Sequence, residues 1–181
     1  MNVAIIGSGS WATALAKIVM HNVPEINWYI RKQETIEEFV EIRRNPNHLE
    51  WAYFDVSRIH FSADINAVIE QSDLLVLAIP SPYLKQSLND ITVDMSQKMV
   101  ISAVKGMIPD ENLLVTEYLH KYFNVPNENL GVIAGPCHAE EIALERLSYL
   151  TVGCENMDKA REWSKLFDTP YVRTTPSNDI E

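Results

Sequence analysis

Apolar residues along this chain arrive in short unbroken runs, with amphipathic stretches between them. Val3–Gly7, Ile26–Ile30, Arg58–Phe61, Asp73–Ile79, Met99–Val104 and Leu130–Ala134 read as strands, and Asp73–Ile79 is the clearest, stopped by Pro80. Helical spacing marks Trp11–His21, Glu34–Arg43, Ile65–Glu70 and Asn112–Phe123, with a looser stretch over Asn45–Phe54. Beyond Ala134 the alternation continues through Glu140–Leu144, Tyr149–Val152, Asp158–Phe167 and Tyr171–Thr174. Unbroken apolar runs, as opposed to alternating ones, are what parallel strands need when helices cover both faces. The pattern predicts an α/β fold: a doubly wound, mostly parallel sheet with right-handed crossovers. No internal repeat, low-complexity tract or linker divides the chain, so 1–181 is expected to be one domain.

The first strand ends in Gly7-Ser8-Gly9-Ser10-Trp11-Ala12 and passes directly into small and apolar residues at helical spacing. That is the Gly-x-Gly-x-x-Ala form of a dinucleotide-binding strand, turn and helix, which makes the expected domain Rossmann-type. Gly7 allows the tight turn, Gly9 has no Cβ to hold the backbone away from a pyrophosphate, and Ala12 lets the helix pack close to the strand. The helix N-terminus adds free N–H groups and a partial positive charge. A turn with a purely structural role is the competing reading of the glycines by themselves.

Composition narrows the function classes. The chain is 46% hydrophobic and 22% charged, ordinary for a globular protein with a sizeable core. No apolar run approaches the ~18 residues needed to span a bilayer, and no secretory pattern precedes the first strand. Cys137 and Cys154 form no metal-like or redox spacing, which points to a reduced cytoplasmic protein without a metal site. A formal net charge of −10 argues against a nucleic-acid partner. A phosphate-bearing small molecule would have to be drawn by local cations against that overall field.

In an open α/β sheet the ligand lies beyond the C-terminal ends of the strands. The second strand ends in Arg31 and Lys32, where an NAD-specific site usually carries an acid about 20 residues after the glycine turn. A guanidinium there could grip a 2′-phosphate or stack on adenine, against the plainer reading of a solvated strand end. Pro80-Ser81-Pro82 follows the Asp73–Ile79 strand, as a rigid wall beside a flat ring or as a simple strand stop before a helix. Lys105-Gly106 follows Met99–Val104 and would bring a cation near a nicotinamide and an anionic substrate, or stay solvated. Gly135-Pro136-Cys137-His138-Ala139-Glu140-Glu141 follows Leu130–Ala134 as a second glycine turn opening a helix, whose N–H groups could hold a phosphate while its two acids cap it. Cys137 and His138 do not read as a nucleophile pair, because neighbours on a helix point about 100° apart. Cys154 ends an apolar run and reads as core.

Taken together, Gly7–Ala16, Ala78-Ile79-Pro80-Ser81, Val104-Lys105-Gly106 and Ala134–Glu141 resemble, in order and spacing, the N-terminal domain of bacterial-type NAD(P)-dependent glycerol-3-phosphate dehydrogenase. The resemblance spans essentially the whole chain. It implies NAD or NADP as cofactor and reversible hydride transfer between dihydroxyacetone phosphate and sn-glycerol 3-phosphate, for glycerophospholipid synthesis. The positions matching Ser10, Trp11, Arg31, Lys105 and Ala139 would contact the dinucleotide, and those matching Lys105, Gly135 and Cys137 the substrate. The family usually has a hydroxyl residue and an aromatic where this chain has Cys137 and His138, and a thiol is the weaker donor. Asn45-Pro46-Asn47-His48-Leu49 matches the family's loop only in part and carries no assigned role.

The family also has a helical C-terminal domain with a catalytic lysine, and no residue of this chain matches that lysine. The chain by itself is therefore expected to bind cofactor without turnover, with homodimerisation belonging to the full-length enzyme. Two alternatives stay open. One is the cofactor domain of a related dehydrogenase (6-phosphogluconate, ketopantoate or UDP-sugar type), which shares the first glycine turn. The other is a non-catalytic nucleotide-sensing module.

Overall fold

The structure, a computed structural model, describes residues 1–180; Glu181, the last residue of the expected domain span, lies outside them. In chain order the elements are β1 (Val3–Ile6), α1 (Ser10–Asn22), β2 (Ile26–Tyr29), α2 (Gln33–Ile42), β3 (Ile59–Ser62), α3 (Ile65–Glu70), β4 (Leu74–Leu77), α4 (Ser81–Asn89), β5 (Met99–Ser102), β6 (Met107–Ile108), β7 (Leu113–Leu114), α5 (Val115–Phe123), β8 (Leu130–Ala134), α6 (Ala139–Ala143), β9 (Ser148–Cys154), α7 (Met157–Phe167) and β10 (Val172–Ser177). Eight strands form one sheet in the order β10-β9-β8-β5-β4-β1-β2-β3, and β6 pairs with β7 as a separate hairpin. The six strands from β3 to β8 in that sheet are parallel, β9 runs antiparallel to β8, and β10 is parallel to β9. The order reverses between β1 and β4, so a crevice opens there at the strands' C-terminal ends.

The strands sort their side chains into two cores. Val3, Ile5, Leu74, Val76 and Ile101 face one side and pack with α1, α2, α6 and α7. Ala4, Ile6, Leu75, Leu77 and Val100 face the other and pack with α3, α4 and α5. Both faces are dry, which is why the strands carry no polar alternation. Helix α1 is buried at Ala12, Thr13, Ala14, Leu15, Ala16, Ile18, Val19 and Met20, and its alanines let it lie close to the sheet while α6 and α7 flank it.

The far end of α1 is closed by Arg58. Its guanidinium donates to the carbonyls of Met20 (2.6 Å), Val23 (2.7 Å) and Pro24 (2.6 Å), satisfying groups the helix leaves open and placing a cation at its negative end. A hydrogen bond to a charged group contributes about 1.5–3 kcal/mol net, and bonds that share one solvent-exposed guanidinium do not add. Arg58→Ala is expected to lower stability by about 2 kcal/mol, read as a melting point lower by about 4–8 °C. Arg58→Lys, unable to reproduce the fork, should recover only part of it.

Strands and helices fall where the hydrophobic pattern puts them, within one to three residues, with two corrections. Pro80-Ser81-Pro82 opens helix α4, as the reading of a strand stop before a helix has it, but the pattern marks no extent for that helix. Prolines at a helix start remove N–H groups that lack an intrahelical acceptor in any case, and only Leu84 and Leu88 of α4 are buried, too few to set a period. The helix expected over Asn112–Phe123 begins at Val115 instead. Asn112 has φ +52°, Leu113 and Leu114 pair with Ile108 and Met107, and the Glu117 carboxylate accepts the Leu114 N–H at 2.8 Å.

Candidate functional site

The glycine turn between β1 and α1 is held from its carbonyl side. Trp28 Nε1 donates to the Gly7 carbonyl (2.7 Å), Asn45 Nδ2 to that of Ser8 (2.9 Å), and Thr13 donates to that of Gly9 through both its N–H (3.0 Å) and its Oγ1 (2.9 Å). In a trans peptide the N–H lies on the edge opposite the C=O. Three carbonyls tied inward therefore turn the following N–H groups, of Ser8, Gly9 and Ser10, the other way. Gly7 has φ +130°, and a Cβ there would lie 2.6 Å from the Ala78 carbonyl oxygen. A Cβ on Gly9 would meet nothing within 4 Å. Gly7 thus serves the close approach of β1 to β4, and Gly9 leaves room in front of the donors. These donors and this room suit a diphosphate.

Three clefts run side by side along this edge. The first, about 270 Å³, is lined by Gly7, Gly9, Tyr29, Arg31, His48 and Pro80. The second, about 360 Å³, is lined by Ser10, Trp11, Pro80, Lys105, Cys137 and Ala139. The third, about 350 Å³, is lined by Trp11, Lys105, Gly135, Leu114, Thr116 and Val132. Pro80 joins the first to the second, while Trp11 and Lys105 join the second to the third. The groove therefore brings together Gly7, Gly9, Ser10, Trp11, Arg31, Pro80, Lys105, Gly135, Cys137 and Ala139, all expected from sequence to bind. A larger cavity of about 520 Å³ sits at the opposite edge of the sheet, but the carboxylates of Glu25, Glu70 and Asp73 that line it oppose an anion.

Two of the expected binding residues stand apart from the groove. The Ala12 side chain is fully buried in the core beside the sheet, so its part is packing. Lys32 is exposed at the N-terminal cap of α2 and lines none of the three clefts, because one residue further along the chain points to a different side. Arg31 faces the first cleft and lowers the pKa of its neighbour Tyr29, whose hydroxyl burial nevertheless pushes up. Cys137 turns its thiol inward and donates to the Tyr149 carbonyl at 2.9 Å, leaving the main chain as its donor toward the groove. Gly135 is needed for packing as well, since a Cβ there would overlap the same Tyr149 carbonyl. Glu141 reaches back to the His138 N–H at 3.4 Å, a long capping contact, whereas Glu140 lines the second cleft. Cys154 is fully buried, and burial pushes its thiol pKa up.

Sequence reasoning passed over Asn45, Thr13, Trp28 and His48. The signal for Asn45 was an Asn-Pro step in a loop rich in Asn, where the amide side chain commonly binds backbone nearby; its Oδ1 does accept the Asn47 N–H at 2.9 Å. Lys17 was also missed: it donates to the Ala143 carbonyl (3.0 Å) and pairs with Glu145 (3.1 Å), bracing α6 against α1.

The sequence profile described as NAD-dependent glycerol-3-phosphate dehydrogenase N-terminus matches residues 2–160. The chain belongs to this family. A relative named glycerol-3-phosphate dehydrogenase (NAD(P)+) from Oceanobacillus iheyensis is 30% identical over 180 residues, covering 98% of this chain and 52% of the relative. One of the same name from Geobacillus kaustophilus is 29% identical over 181 residues, covering 99% and 52%. The chain spans about half the length of the curated relatives it matches. Among solved structures, a Plasmodium falciparum glycerol-3-phosphate dehydrogenase aligns with a TM-score of 0.87 at 27% identity, covering 99% of this chain and 53% of that one. The Coxiella burnetii enzyme, at 20% identity and a TM-score of 0.82, covers 98% and 54% and shares the fold. Among the described residues no helix is long and apolar enough to cross a membrane.

Proposed function

We propose that this chain is the dinucleotide-binding domain of a glycerol-3-phosphate dehydrogenase, holding NADH or NADPH along the groove for hydride exchange between dihydroxyacetone phosphate and sn-glycerol 3-phosphate. The glycine turn carries the reading, since its donors are turned outward over a space that a Gly9 side chain would fill. In this reading the N–H groups of the turn and of the start of α1 hold the diphosphate, Arg31 and His48 flank the adenosine part, and Pro80 forms a wall. Trp11, Lys105 and Ala139 line the nicotinamide side.

When bound, the nicotinamide supplies or accepts the hydride. Lys105 stands where the second and third clefts join, so its ammonium would favour negative charge developing on the substrate oxygen. Gly135 and the Cys137 main chain would hold the substrate from the third cleft and its rim. The proton donor is assigned to the helical half of the family's longer members. A cytoplasmic enzyme of glycerophospholipid synthesis that acts as a homodimer in full-length form completes the proposal.

The test is a titration of the chain with NADH and with NADPH, followed by calorimetry and tryptophan emission. Trp11 is half-buried in the groove, Trp28 and Trp163 are sealed in the cores, and Trp51 is exposed in the loop after α2, so quenching that disappears in Trp11→Phe reports Trp11. NADPH binding that weakens about tenfold in Arg31→Ala, with NADH little changed, is the expected result, the loss of one charge-assisted contact. Equal losses for both would assign Arg31 to adenine stacking. Absence of binding by either dinucleotide would overturn the proposal.

A further inference from the structure

We infer that Asn45 is the positioning residue of the phosphate turn, fixing its middle peptides so that their N–H groups meet the diphosphate; this rests on the function proposed above. Asn45 lies in the loop between α2 and β3, outside the strand–turn–helix unit it serves, and is 1% exposed. Both hydrogens of its Nδ2 are used, one on the Ser8 carbonyl (2.9 Å) and one on Thr13 Oγ1 (2.8 Å). An amide nitrogen can only donate. The Thr13 hydroxyl must then accept from Asn45 and send its own hydrogen to the Gly9 carbonyl at 2.9 Å. One side chain thereby orients two successive peptides: that of Ser8 directly, aiming the Gly9 N–H, and that of Gly9 through Thr13, aiming the Ser10 N–H.

The loop is fixed well enough to do this. Leu49 is buried and sits at φ +52°, a conformation an L side chain adopts only where its surroundings hold it. Its carbonyl accepts the Ala52 N–H at 2.8 Å, the Phe54 N–H closes on the Arg43 carbonyl at 2.9 Å, and Arg44 Nη1 donates to the Glu50 carbonyl at 2.9 Å. Asn45 is therefore delivered to the turn by a loop whose two limbs are tied together.

The experiment measures calorimetric affinity for ADP-ribose, which carries the diphosphate, and for adenosine, which does not, with melting temperatures alongside. Asn45→Ala and Thr13→Val are each expected to weaken ADP-ribose by about tenfold or more while changing adenosine by less than about twofold. Thr13→Ser keeps the hydroxyl and should bind as the wild type. The double variant should lose little more than the worse single one, because both break one relay. Asn45→Asp should lose most, since a carboxylate cannot donate to the Ser8 carbonyl and adds negative charge. Should Asn45→Ala not fold, the Thr13→Val and Thr13→Ser pair carries the comparison. ADP-ribose affinity unchanged in Asn45→Ala, or equal losses for both ligands, overturns the positioning role. An unaltered chain that binds no ADP-ribose overturns the proposed function itself.

Discussion

Gly9→Val is expected to melt close to the wild type yet bind NADH at least about a hundredfold more weakly, a loss of about 2.7 kcal/mol. Position 9 has φ −75° and ψ −179°, extended backbone that valine adopts readily, and its Cβ would touch nothing within 4 Å. The helix-cap penalty of replacing Gly is about 1 kcal/mol, so melting should shift by no more than about 4 °C. The added methyls would nevertheless stand in front of the Ser8, Gly9 and Ser10 N–H groups, in the space a diphosphate needs. Scanning fluorimetry and calorimetry on the same sample separate the two effects. Undiminished affinity would show that the diphosphate does not cross Gly9.

Gly7→Ala, two residues away, is expected to act on stability instead, by about 3–5 kcal/mol. Its φ of +130° disfavours any side chain, and the Cβ would approach the Ala78 carbonyl carbon to 2.9 Å and its oxygen to 2.6 Å. Relief by backbone movement is opposed on both sides: the Gly7 N–H is bonded to the Tyr29 carbonyl at 3.2 Å and its own carbonyl to Trp28. The measurement is a urea titration, in which the midpoint should fall with little change in slope. A loss under about 1 kcal/mol would mean that β1 and β4 can part at the crevice without cost.

What could be read from the sequence divides along the same line as local and tertiary causes. The strands were visible because both faces of Asp73–Ile79 and its neighbours are dry, so apolarity is continuous. Gly7, Gly9, Ser10 and Trp11 were visible because one turn and one helix start place them together. Arg31, Lys105 and Gly135 followed from the rule that strand ends carry the site. Asn45 was hidden because its partner Ser8 is 37 residues away, and nothing in the loop's composition announces that contact. Lys32 was drawn in by adjacency to Arg31, whereas the turn into α2 takes it out of the groove; Ala12 is buried, as its packing place in the motif requires. Cys137 lies beside the groove as expected, but its thiol hydrogen goes to a strand that the pattern could place only by running order, not by direction.

The reversed direction of β9 has a practical corollary for handling the protein. Tyr149 and Leu150, near its start, supply the wall behind Gly135 and Cys137, so its last residue, Cys154, emerges at the other rim of the sheet, level with Gly131. Seven strand residues at ~3.3 Å each put roughly 20 Å between its two ends. The exposed residue that follows, Glu155, is thus a place to attach a fluorophore, a biotin or a surface linker without crowding the groove. Immobilised through that rim, the domain would present its whole nucleotide-facing edge to solution.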